Sequence, residues 1–106
     1  MGRFVTIGKA SGIQLGKMSL FKVDGRAVTV ANVEGTLHAF DDTCTHEDCS
    51  LADGDLERAG DRMAVTCPCH FAQFDVKTGA VLAAPATVPI KVYPVRIEGD
   101  DLQVEI

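Results

Sequence analysis

Cys44-Thr45-His46-Glu47-Asp48-Cys49 and, after a spacer of 17 residues, Cys67-Pro68-Cys69-His70 are the two segments that decide how this chain is read. They contain all four cysteines and two of the three histidines. Each segment offers one Cys and one His at a short fixed step: Cys-x-His in the first, Cys-x-x-His in the second. Thiolates are soft donors and imidazoles are neutral ones, so this pairing suits a metal centre with sulfur on one side and nitrogen on the other.

Other uses of these residues fit less well. Two Cys and two His can hold zinc tetrahedrally, but zinc modules repeat like with like, Cys-x₂₋₄-Cys and His-x₃₋₅-His. A structural zinc module is therefore the alternative from a different functional class. A c-type haem needs Cys-x-x-Cys-His, and Cys67-Pro68-Cys69-His70 is one residue short of it. A thiol oxidoreductase calls for Cys-x-x-Cys beside a βαβ pattern, and neither is present.

The pair Cys44-Thr45-His46 and Cys67-Pro68-Cys69-His70 resembles the Rieske [2Fe-2S] family, and in particular the ferredoxins of bacterial aromatic-ring dioxygenases. The resemblance implies that Cys44 and Cys67 hold one iron and that His46 and His70 hold the other. Exchanging two thiolates for two neutral imidazoles removes negative charge from the cluster. Known Rieske centres accordingly lie at roughly −150 to +300 mV, against about −400 mV for plant-type ferredoxins. One departure stands out: 20 residues separate His46 from Cys67, a few more than the family usually shows. The extra length is expected within Leu56–Met63, where Ala59-Gly60-Asp61 reads as a turn.

The resemblance also bears on the residues around the ligands. In the respiratory and photosynthetic branch, cysteines at the places of Cys49 and Cys69 form a disulfide that ties the two loops together, and the same bond is expected here. Two buried thiols are the alternative, which a reducing cytoplasm would favour. That branch usually continues Cys-Pro-Cys-His-Gly-Ser-x-Tyr, with both hydroxyls bonded to cluster sulfurs. Here Ala72 stands at the Ser place and Phe74 at the Tyr place. The loss of both donors predicts a potential low in the family range. Ala83-Ala84-Pro85-Ala86 resembles the loop that covers the cluster, stiffened by Pro85. Phe71, Leu51 and Pro85 are expected to form an apolar rim at the tip.

The chain in order reads as short strands and turns. Arg3–Ile7 is β-prone, and Lys9–Gly16 is a loop. Met18–Val23 and Arg26–Val33 flank the hairpin turn Asp24-Gly25. Glu34-Gly35 leads to a third strand at Thr36–Phe40. Thr45 and Asp48 are placed to turn or cap the first ligand loop. Met63–Val65 leads into Cys67, Gln73–Val76 leaves the second loop, and Lys77-Thr78-Gly79 turns into Ala80–Leu82. Two last strands surround Gly99-Asp100. Apolar residues alternate at Ile90 and Val92 and again, out of phase, at Val95 and Ile97, which predicts a bulge or bend at Tyr93-Pro94. Leu102, Val104 and Ile106 mark a half-buried final strand. Without sustained helical periodicity, this is an all-β chain. The resemblance makes it a Rieske-like antiparallel β-sandwich or barrel with a small cluster-binding subdomain.

At 106 residues the chain is expected to be a single domain, residues 1–106, with its cluster-binding part at about 41–86. A hydrophobic content of 46% argues for a folded globule. The net charge of −5 argues against nucleic-acid binding. No apolar run is long enough to span a membrane, and no signal segment is evident, so a soluble, cytoplasmic monomer is expected. Met1-Gly2 and Thr6 formally match a myristoylation pattern, a match short enough to arise by chance. Between Asp41 and Asp61 lie eight acids against one base, Arg58. They read as a solvated face or as a surface that steers the chain to basic partners. His38 falls on a strand and reads as structural.

The function implied is one-electron transfer without catalysis. The resemblance suggests one Rieske cluster per chain, a flavin-dependent NAD(P)H ferredoxin reductase as donor and a terminal aromatic-ring oxygenase as acceptor. A small Rieske subunit of another oxidoreductase, such as nitrite reductase, is the alternative within the family.

Overall fold

The computed structural model describes residues 3–44, 49–69, 71–84 and 86–106. Among them there are eleven strands, two short 3-10 turns and no α-helix. All strand pairs are antiparallel and fall into three sheets.

Hairpin chemistry builds the first of these sheets. β2 (Met18–Val23) and β3 (Arg26–Val33) meet at Asp24-Gly25, whose φ values are 49° and 80°. A two-residue hairpin needs this left-handed backbone at both positions, and Asp-Gly tolerates it. β4 (Thr36–Asp41) returns through Glu34-Gly35, and β9 (Val92–Tyr93) completes the order β2-β3-β4-β9.

This sheet is covered on both faces. Val28, Val30 and Ala39 face a core shared with Leu102 and Val104, while Ala31 and Phe40 face a second core with Val65 and Phe74. Double coverage explains why four consecutive residues of β3, Val28 to Ala31, are buried. The first core is closed by the sheet β1-β11-β10, made of β1 (Phe4–Lys9), β11 (Asp101–Glu105) and β10 (Val95–Glu98). The second is closed by β5-β6-β7-β8, made of β5 (Asp55–Ala59), β6 (Arg62–Thr66), β7 (Gln73–Asp75) and β8 (Val81–Ala83). This last sheet carries the second ligand segment.

Several boundaries differ from the sequence expectation. β1 runs on to Lys9 because an irregularity between Thr6 and Gly8 lets pairing with β11 continue. The strand expected at Ala80–Leu82 lies one residue later. The Ala80 carbonyl accepts from the Asp75 N–H at 2.8 Å, which holds Ala80 in the turn. The end of the chain holds three strands where two were expected. The phase change at Tyr93-Pro94 is a change of sheet: Tyr93 pairs with Ala39 in one sheet, and Val95 pairs with Val104 in another. Pro94 lacks an N–H and suits the crossing point. Ile90 is buried outside any strand, its N–H bonded to the Gly79 carbonyl at 3.0 Å. The β5–β6 hairpin turns at Gly60-Asp61, within the stretch where the extra length was expected.

Candidate metal centre

Two loop necks present the cysteines. The first grows out of β4. The Leu51 N–H donates to the Asp42 carbonyl at 2.7 Å, Thr43 bridges Ser50, and the Cys44 N–H donates to the Cys49 carbonyl at 3.0 Å. This short ladder closes the loop at its base. A carboxylate reinforces it: Asp42 Oδ1 accepts from the Thr29 hydroxyl at 2.6 Å, the Ser50 hydroxyl at 2.8 Å and the Ala52 N–H at 2.9 Å. Asp42 is buried, and three donors on one oxygen replace the water it has lost.

The second neck grows out of β6. The Cys67 N–H donates to the Ala72 carbonyl at 2.8 Å, and the Phe71 N–H donates to the Cys67 carbonyl at 3.0 Å. The chain therefore turns back within five residues, with Phe71 in the left-handed region at φ 62°. At the end of β6 the Thr66 hydroxyl bonds Glu57 and also accepts from Gln73 Nε2 at 3.1 Å.

Cys44 and Cys67 are each 1% exposed and lie outside any disulfide. Cys49 and Cys69 are joined in a disulfide, with Cα atoms 6.4 Å apart, tying the two loops together. The sulfurs of Cys49, Cys67 and Cys69 lie within 4.8 Å of one another. Because Cys49 and Cys69 are bonded to each other, the thiolate donors available here are Cys44 and Cys67. Buried thiols on two cross-tied loops fit the sulfur half of a mixed sulfur–nitrogen metal site. His46 and His70, the expected nitrogen donors, lie outside the described residues, as do Pro85, Thr45 and Asp48.

Ala72 and Phe74 are fully buried, so neither position brings a side-chain hydroxyl into this interior. Leu51 corrects an expectation. It is fully buried in the core with Phe40, Val65 and Phe74 and forms no part of a surface rim. Phe71, by contrast, is 70% exposed.

The acidic run is not one face. Asp42 is an internal clamp, Asp41 accepts from the Tyr93 hydroxyl, and Glu57 bonds Thr66. Asp53, Asp55 and Asp61 are exposed, and Glu47 is outside the described residues. The sequence reading missed the role of Asp42, because its partner Thr29 lies 13 residues away and no local pattern marks the pair.

His38 is half-buried on β4, in a groove lined by Asp61, Arg62, Asp75 and Lys77. Burial pushes its pKa below the ordinary histidine value, the Lys77 ammonium adds to this, and the Asp75 carboxylate opposes it. Burial alone would raise the pKa of Asp75. The Lys77 N–H, the Arg62 guanidinium at 2.8 Å and the Thr78 N–H together hold it below the usual carboxylate range.

Residues 3–94 match the Rieske [2Fe-2S] domain family. The chain is 40% identical over 84 residues to the ferredoxin component of the naphthalene 1,2-dioxygenase system of Pseudomonas aeruginosa, covering 79% of this chain and 77% of that one. Among solved structures, a chain in the complex of reduced oxygenase and oxidized ferredoxin of carbazole 1,9a-dioxygenase superposes with a TM-score of 0.85. It is 32% identical and covers 96% of this chain and 92% of that one. A putative NADH-dependent nitrite reductase small subunit from Mycobacterium tuberculosis superposes with a TM-score of 0.90 at 22% identity, covering 100% of this chain and 96% of that one, a likeness of fold alone.

Proposed function

The chain belongs to the Rieske [2Fe-2S] domain family, and from that premise we propose that it carries single electrons from a flavin-dependent NAD(P)H reductase to a terminal aromatic-ring oxygenase. It is a ferredoxin of the dioxygenase type, an electron carrier and not itself the oxygenase. Cys44 and Cys67 would bind one iron of the cluster, and His46 and His70 would bind the other. The bound cluster supplies a centre that takes up and returns one electron.

The chain's own residues set the conditions for that exchange. Burial of Cys44 and Cys67 keeps water from the sulfur side. The Cys49–Cys69 bond and the Asp42 clamp hold the two necks in register, so little rearrangement accompanies a change of charge. Ala72 and Phe74 offer no hydroxyl to the sulfurs, which leaves the reduced state less stabilised. The carrier works as a cytoplasmic monomer that meets its two partners in turn.

The observation that carries this reading is the pair of buried thiols on two loops joined by a disulfide. Its test begins with metal and sulfide analysis and an EPR spectrum after dithionite reduction. A rhombic signal from a mixed Cys/His cluster is expected, and a colourless zinc protein would overturn the reading. The purified reductase and oxygenase of the naphthalene system, with naphthalene as substrate, then test the transfer. Product should form only when this protein is added. No product from a protein with a reducible cluster would overturn the dioxygenase role. A second reading, a permanently bound subunit of the nitrite reductase kind, draws on the close fold likeness. Gel filtration with candidate partners separates a free carrier from a bound subunit.

A further inference from the structure

We infer that Phe71 is the apolar contact through which this protein docks on its terminal oxygenase, an inference that rests on the function proposed above. Phe71 is 70% exposed, beyond Leu15, Val88 and the other exposed large apolar residues. It also occupies the left-handed backbone region at φ 62°, which bulky side chains disfavour. These are two separate costs at one position.

The backbone cost has a local cause. The Phe71 N–H closes on the Cys67 carbonyl at 3.0 Å, and the Ala72 carbonyl receives the Cys67 N–H at 2.8 Å. A loop that returns this tightly needs a left-handed residue, and glycine would meet that need without strain. The closure explains the backbone and leaves the ring unexplained. Leu51 and Phe74, which share a core with Cys67 and Ala72 at the base of this loop, are fully buried. The Phe71 ring is instead exposed, on the residue that follows His70, a ligand under the function proposed above. An oxygenase that receives an electron there must cover this segment, and it then covers the ring. Burying an aromatic side chain in a partner's apolar pocket is a common source of interface affinity. Unlike attraction through surface carboxylates, this contact does not weaken as salt rises.

The test compares Phe71→Ala, Phe71→Gly and Phe71→Leu with the wild type, using the naphthalene oxygenase and its reductase. The readouts are the KM for the ferredoxin, kcat, midpoint potential, iron content and Tm. Phe71→Ala and Phe71→Gly should raise KM about tenfold or more, and Phe71→Leu by no more than about threefold. The effect should fall on KM and persist at high salt, with iron content and potential at wild-type values. Phe71→Gly should melt at or above Phe71→Ala, because glycine relieves the strain. An unchanged KM in the iron-replete Ala and Gly variants would overturn the inference. So would loss of iron or a shifted potential in all three, which would make the ring a cluster cover. If the wild type itself fails to pass electrons to this oxygenase, the proposed function falls and this inference with it. That outcome is visible before any variant is made.

Discussion

Gly54 lies directly against the backbone carbonyl of Thr66, and a Cβ placed on Gly54 would overlap that oxygen. Gly54 ends the segment that returns from the first ligand loop, and Thr66 is the residue before Cys67. The two necks are thus pressed together at their bases here, while Cys49 and Cys69 join them by a covalent bond.

Gly54→Ala should therefore force the end of β6 away and move Cys67 with it. Overpacking of this kind costs about 1–3 kcal/mol. A lower melting temperature and a lower iron content per chain are expected. An unchanged iron content would mean that the loops do not depend on this approach.

Asp42→Ala leaves the Thr29 hydroxyl, the Ser50 hydroxyl and the Ala52 N–H without their acceptor. With one buried and two part-buried donors stranded, the loss should be about 2–4 kcal/mol in denaturant unfolding, with faster loss of iron to a chelator. Thr29→Val removes one donor and should cost less. A double-mutant cycle between the two measures their coupling.

Ala72→Ser and Phe74→Tyr each place a hydroxyl at a buried position beside the second neck. A hydrogen bond to an anionic acceptor stabilises the more negative, reduced state. Each substitution should raise the midpoint potential by on the order of 50–100 mV. A redox titration followed by EPR checks this. A potential unmoved in both variants would show that these positions do not reach the cluster.

His38 predicts a pH dependence. Its pKa is lowered in the fold, first by burial and then by Lys77, with Asp75 opposing. The unfolded chain then binds the proton more tightly than the folded one. The contribution to stability is full above the ordinary histidine pKa of about 6.5 and is lost as the pH falls through the lower folded value. Stability of the wild type should drop between about pH 7 and pH 5 more steeply than that of His38→Asn. Parallel profiles would remove His38 as the cause.

Asp53, Asp55 and Asp61 are exposed and carry the steering expectation. Electron transfer to a basic partner should slow as ionic strength rises from about 0.01 to 0.15 M, where the screening length shortens from about 30 to 8 Å. A rate flat across that range would exclude steering by these acids.

The turn at Asp24-Gly25 and the strands on either side were legible to the residue, because a two-residue hairpin depends on its own four or so positions. Register further along was less so. Ala80 reads as strand, yet a bond from Asp75 keeps it in the turn. At Tyr93-Pro94 the alternation shows that the chain changes face. That it also changes sheet depends on Ala39 and Val104, each at least nine residues from Val95 in sequence. Leu51 reads as rim because one leucine in a polar loop has no periodicity to tell inside from outside.

By itself the sequence determined the family and the cluster it implies. Two Cys-and-His segments of fixed spacing carry the proposed donors, and Ala72 and Phe74 report the missing hydroxyls, because both facts reside in residue identity over a few positions. Only the tertiary structure decided that Asp42 is a clamp and not a surface charge, that Gly54 must be glycine, and that Phe71 is held strained and exposed. Each of these depends on a group brought close by the packing of sheets or the closing of a loop, and a contact made in that way leaves no mark in the local pattern of the chain.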